Sequence, residues 1–108
     1  MAFDPDDILL AQRIKALAHP ARLAIVRALM QESRCSCGDI VRNLPLAQST
    51  VSQHLKVLKD AGLISFRRDG VRSAYVLNVA AFAALESDLQ GLFAVIAPAA
   101  SATSHGAG

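Results

Sequence analysis

The sequence predicts a mainly α-helical fold with one small β-hairpin, an α+β arrangement in a single domain of 108 residues. Three observations predict it. Apolar residues recur at helical spacing through most of the chain. Between 63 and 78 the pattern changes to β-branched and aromatic residues around Asp69-Gly70, a strong two-residue hairpin signal. Directly before it runs a helix with one apolar and one polar side, and a helix of that kind followed by a basic hairpin is the plan of a winged helix-turn-helix.

Asp4-Pro5-Asp6-Asp7 reads as a helix start, with acids in the first turn and an apolar stripe of Leu10, Ile14 and Leu17 that ends at His19-Pro20. A second helix is expected over about 20–31. Leu23, Val26 and Met30, beside Ile25 and Leu29, cover a wide face and place it centrally in the core. A short third helix is expected over 38–44, before the turn at Pro45.

The fourth helix starts with Ser49 or Gln48 near its N-cap and stops at Ala61-Gly62. At about 100° per residue, Val51, Leu55 and Leu58 fall within about 60° of one another, with Ser49, Ser52, Gln53 and Lys56 on the far side. Hydroxyls, an amide and a lysine can reach base edges and phosphates, where an ordinary solvated helix shows mostly Glu and Lys. Thr50 flanks this face near the helix N-terminus. His54 lies at its edge, about 100° or more from the polar cluster, to touch a phosphate or stay within the protein. Strands are expected over 63–67 and 73–78, with Arg67, Arg68 and Arg72 around the turn as phosphate or minor-groove contacts.

The net charge is +2, and its placement is more telling. Residues 45–78 hold five basic residues against two acidic ones, which concentrates the positive charge on the reading segment.

The run from Ser49 to Ile64, STVSQHLKVLKDAGLI, closely resembles the recognition segment of the ArsR/SmtB family of small bacterial repressors. Upstream, Ile14 to Leu23, IKALAHPARL, resembles the start of that family's second helix. The resemblance spans roughly residues 8–96. It implies a homodimeric winged-helix repressor that binds double-stranded operator DNA and is released by an inducer; Gln48 joins Ser49, Thr50, Ser52, Gln53, His54 and Lys56 among the expected DNA-binding residues.

Asn78 is expected to cap a last helix on which Phe82, Leu85, Leu89, Leu92 and Ile96 form a heptad-like seam. The surplus apolar stripe is expected to pair with its symmetry mate and with the first helix, through Leu10 and Ile14; the other reading is that it folds back on its own domain. Residues 1–97 then form a winged-helix DNA-binding and dimerisation domain, and 98–108, without periodicity, a disordered tail. No charge-free apolar stretch approaches the roughly 18 residues of a membrane span, and the acidic MAFDPDD start is unlike a secretory signal, so a cytoplasmic protein without a membrane partner is expected.

Two cysteines, Cys35 and Cys37, are the one candidate sensor chemistry. Residues two apart on an extended segment face the same side, so both thiolates can grip one soft ion such as arsenite, cadmium or zinc. Arsenite prefers three sulfurs and structural zinc four ligands, so a further donor would come from His19 or a partner subunit. Metal sensors of the resembling family often carry Cys-x-Cys-Asp-Leu at this place, whereas here Gly38 stands between Cys37 and Asp39-Ile40. A thiol redox or persulfide switch and a purely structural pair are the other readings. His19, before Pro20, reads first as a capping or packing residue. Glu86 and Asp88, two apart on a helix without histidine, read as solvated charges.

No nucleophile-base grouping, phosphate loop or paired catalytic carboxylates occur, which argues against an enzyme. The alternative from another class is a winged helix that binds protein without DNA.

Overall fold

The structure, a computed structural model, describes residues 2–32 and 35–97. The expected tail at 98–108 lies outside these residues, as do the side chains of Asp69 and Arg72. Five helices and one antiparallel hairpin follow in the order α1 Pro5–Leu17, α2 Pro20–Gln31, α3 Cys37–Asn43, α4 Gln48–Asp60, β1 Ile64–Asp69, β2 Arg72–Leu77 and α5 Val79–Ile96. This is the winged helix-turn-helix expected from the sequence.

Local chemistry sets most boundaries. Asp4 caps α1 by accepting from the Asp6 backbone N–H at 2.8 Å, with Pro5 in the first turn, where its missing N–H costs no hydrogen bond. His19 caps α2 in the same way through its ring Nδ1, which accepts from Ala21 N at 3.0 Å. Asn78 caps α5 and also donates from its side chain to the Gly62 carbonyl at 2.9 Å, tying the end of α4 to the start of α5.

Several expectations shift. α3 begins one residue earlier because Ser36 and Asp39 form a capping box. The N-cap of α4 is Ala47, not Ser49 or Gln48, and it makes no side-chain cap. The hairpin turn is Gly70-Val71, one residue beyond the expected Asp69-Gly70, since Asp69 pairs with Arg72 in the ladder. Gly70 has φ +64 while no non-glycine residue described has positive φ, the requirement of a turn with glycine at its first central position.

The core gathers Ile25 and Leu29 of α2, Ile40 of α3, Val51, Leu55 and Leu58 of α4, and Leu63 and Ile64 at the start of the wing. Cys35 belongs to it and forms an isolated bridge with Tyr75 on β2, through N–H···O bonds of 3.3 and 2.8 Å. α2 is central through the buried Ile25 and Leu29, with Val26 partly buried against the same core. Leu23 and Met30, expected in the core, are exposed, Met30 at 77%, because they lie on the opposite side of a helix just one face of which meets α4.

α5 packs on α1 and on the core by its first turns, with Ala81 and Leu85 buried and Phe82 half-buried. Its outer half stands free: Leu92, Phe93, Val95 and Ile96 are exposed. With mean hydropathy 1.5 over 18 residues, α5 is the one described helix long and apolar enough to cross a membrane by length and composition. Glu86 and Asp88 interrupt it.

Candidate nucleic-acid interface

α4 presents its polar side outward. Gln48, Ser49, Ser52, Gln53 and Lys56 are exposed and Thr50 is half-buried, while Val51, Leu55 and Leu58 are at 1% exposure or less. The segregation follows from the sequence period: packing on α2 and α3 takes the apolar stripe and leaves the hydroxyls, amides and lysine to solvent. Lys56 lies 3.7 Å from Asp60, and both are exposed, a pair worth too little to hold the ammonium back from a phosphate.

The wing follows within a few residues. Arg67 and Arg68 are exposed on β1, opposite Ala74 and Ser73 on β2, and Val71 stands fully exposed at the tip. Phe66 and Tyr75 meet edge to face at 4.9 Å between ring centroids and stiffen the hairpin. The arrangement presents a polar helix face and a basic hairpin on one chain segment, each on a fixed support.

His54 departs from that face. It is half-buried and turned toward α2, where its Nδ1 lies 3.2 Å from a terminal nitrogen of Arg22 and its ring stacks against His19 at 4.4 Å between centroids, tilted by 47°. A guanidinium has donors only, so Arg22 donates and the His54 Nδ1 accepts. Burial first, then the positive charges possible at His19 and Arg22, hold the His54 imidazole below the ordinary histidine range. Sequence reading gave Arg22 no role; the pair is separated by 32 residues and no local pattern marks it.

The cysteines are not arranged as the extended-segment argument expects. Cys37 is the first residue of α3, so the two-residue alternation of a strand does not carry through it. The buried Cys35 sulfur faces the end of α2, 3.9 Å from the Ala28 carbonyl and 3.8 Å from the Glu32 carboxylate, whereas the Cys37 sulfur lies 3.7 Å from Ser52 Oγ on α4. Burial pushes the Cys35 thiol up, and the charges of Glu32 and Asp39 push it further the same way. Both thiols are free.

His19 cannot supply a third ligand. It caps the N-terminus of α2 while Cys35 packs on the opposite end, about 18 Å away along a helix of this length. Among the described residues no three His, Cys, Asp or Glu side chains gather in a metal-holding group. The two sulfurs as placed do not fit a closed metal or metalloid site within one chain.

Residues 19–65 match the profile of the bacterial regulatory protein arsR family. The HTH-type transcriptional regulator Rv2034 of Mycobacterium tuberculosis is 44% identical over 75 residues, covering 69% of this chain and 69% of that protein. The regulator YgaV of Escherichia coli is 35% identical over 83 residues, covering 77% and 84%. Among solved structures, an ArsR-like transcriptional regulator from Rhodococcus sp. RHA1 superposes with a TM-score of 0.77 over 92% of each chain; at 21% identity it speaks for the fold alone. Rv0081 of M. tuberculosis superposes with a TM-score of 0.62 at 32% identity, over 94% of this chain and 99% of that one.

Proposed function

This chain belongs to the arsR family of bacterial regulatory proteins, DNA-binding winged-helix regulators, and from that premise we propose a homodimeric cytoplasmic repressor of double-stranded operator DNA, released by a signal sensed at Cys35 and Cys37. The observation that carries the reading is the exposed face of Gln48, Ser49, Ser52, Gln53 and Lys56 beside the exposed Arg67 and Arg68 of the wing. α4 enters the major groove, with Ser52 and Gln53 toward base edges and Lys56 toward phosphate, and the wing follows the neighbouring backbone. The two arginines of the wing favour a phosphate backbone over a protein partner, although Val71 and Phe66 of the same hairpin are also exposed.

Dimerisation through α1 and α5 is supported by the outer half of α5. Leu92, Phe93 and Ile96 are exposed apolar residues that favour burial against a partner, and α1, which packs on α5, adds the partly exposed Leu10 and Ile14. Two copies paired there present two reading heads to an inverted repeat.

The sensing role rests on the contact between Cys37 and Ser52. A change at that thiol reaches the DNA-facing side of α4 through one side chain. For arsenite, cadmium or zinc the two sulfurs would need to reorient and gain a donor from outside the described residues. A thiol oxidation or persulfide switch needs no third ligand, and the two free thiols favour it as the second reading.

The test is selection of duplexes from a randomised pool, followed by anisotropy titration. The expected result is an imperfect inverted repeat bound much more tightly than random duplex, with release by arsenite, cadmium or peroxide lost when both cysteines are serine. Failure to bind any duplex at low salt would overturn the DNA reading and leave the protein-binding module.

A further inference from the structure

The His54 cluster lies apart from the DNA-facing side and is not used by the function proposed above. On α4, His54 stands about 140–160° from Ser49, Ser52 and Lys56, on the side that meets the start of α2. Arg22 bridges from there to α1: one terminal nitrogen meets His54 at 3.2 Å and the other the Lys15 carbonyl at 3.5 Å. Its Nε is buried without a partner among the described residues, so the guanidinium is enclosed by the protein where it meets His54.

Both histidines are committed to one tautomer. Each Nδ1 accepts from a group that can only donate, Ala21 N–H for His19 and the guanidinium for His54, so each neutral ring carries its proton on Nε2. A proton added to His54 Nδ1 removes its lone pair, and with it the bond to Arg22. It leaves two cations 3.2 Å apart, beside a second imidazole.

The groups facing this site offer little compensation. α2 and its cap contribute Arg22 and His19, and α1 contributes Lys15. On α4 the nearby carboxylate is Asp60, which lines the adjoining hollow with Lys15 and Arg22 but is exposed and already beside Lys56.

Resting on the DNA-binding reading above, we infer that His54 is a positioning residue of the reading head: as a neutral imidazole it accepts the Arg22 bond that seats α4 on the start of α2, and its protonation unseats α4 and weakens DNA binding. Burial and the charges of His19 and Arg22 keep the imidazole neutral at the pH of the cytosol. Acid shifts the population toward the unseated form, and the apparent affinity falls with the seated fraction.

The test uses the full chain and a fluorescein-labelled duplex that the protein itself selects from a randomised pool. Affinity is measured from about pH 7.5 to about pH 5.5, each protein referred to its own value at the upper end. Wild type should lose roughly fivefold, as the seated fraction falls. His54→Asn, whose Oδ1 stands where Nδ1 stands and does not titrate, should lose less than about twofold. An unchanged pH slope in His54→Asn overturns the inference.

A second measurement needs no DNA. Correlation spectra of the imidazole nitrogens should show His54 with a bare Nδ1 and a proton on Nε2, titrating below about 6.5. A proton on Nδ1 at neutral pH, or titration above that value, overturns the inference. A protein that binds no duplex would sink the repressor reading, and these spectra would still decide the role of His54.

Discussion

The sulfur of Cys37 lies 3.7 Å from the hydroxyl of Ser52, joining the first residue of α3 to the exposed polar side of α4. Cys35, two residues earlier, faces α2 instead. The two thiols therefore differ in exposure and in what they touch.

Alkylation should separate them. Cys37 is half-buried, and Cys35 is 3% exposed with its thiol pushed up by burial and by Glu32. Iodoacetamide at neutral pH, followed by peptide mass spectrometry, should label Cys37 at least about ten times faster than Cys35. Equal rates would mean that the Cys35–Tyr75 bridge opens readily in solution.

On the reading helix, Ser52→Ala or Gln53→Ala should cost about 1–3 kcal/mol on a selected site and little on random duplex. Lys56→Ala and Arg68→Ala should weaken both and lower the salt slope by about one each. Anisotropy titrations at several salt concentrations check this. A Gln53→Ala protein unchanged on both DNAs would remove that side chain from the interface.

Assembly is tested on α5. Leu89→Glu should yield monomers with much weaker binding to a palindromic site, because each half-site loses the tethering of the other. Phe93→Glu, at a residue 57% exposed in the single chain, should do the same without harming the monomer fold. Light scattering reports both, and a wild-type monomer at micromolar concentration would end the dimer proposal.

At the start of α3, Ser36 Oγ accepts from Asp39 N, and the Asp39 carboxylate accepts from Ser36 N, each at 3.1 Å. Ser36→Ala should cost about 1 kcal/mol in chemical denaturation. Ser36, through its backbone N–H and then its hydroxyl, holds the Asp39 carboxyl below the usual carboxylate range, with Arg42 assisting. A depressed carboxyl stabilises the fold fully above its unfolded value, near 3.9, and that contribution is lost as pH falls through the lower folded value. Asp39→Asn should flatten this acid limb of the stability curve.

Much of the fold was legible because its signals are local. Proline and aspartate at 4–7, the Asn78 cap, and the spacing of Val51, Leu55 and Leu58 each act within one turn of helix. The misplaced features depend on choices between neighbours. Ser36 caps α3 with an aspartate where the more familiar box has Glu or Gln, and Gly70 rather than Asp69 takes the first central place of the turn. Met30 and Leu23 read as core because apolarity alone does not say which side of a helix a neighbour covers. The outward polar face of α4 was legible from periodicity; Arg22 with His54, Cys37 with Ser52 and Cys35 with Tyr75 were not, since each contact joins segments brought together only by the finished fold.

Asn78 makes two commitments at once: its side-chain oxygen accepts from Ala81 N at the head of α5 while its amide nitrogen donates to Gly62 just past the end of α4. The direction in which α5 leaves the domain is thereby locked to the axis of the reading helix. In the proposed dimer, the crossing of two such helices sets how far apart the two heads fall along the duplex. Half-site separation is then a geometric property of the joint at Asn78, and a variant that loosens this joint should tolerate operators of altered spacing even with every base-contacting side chain intact.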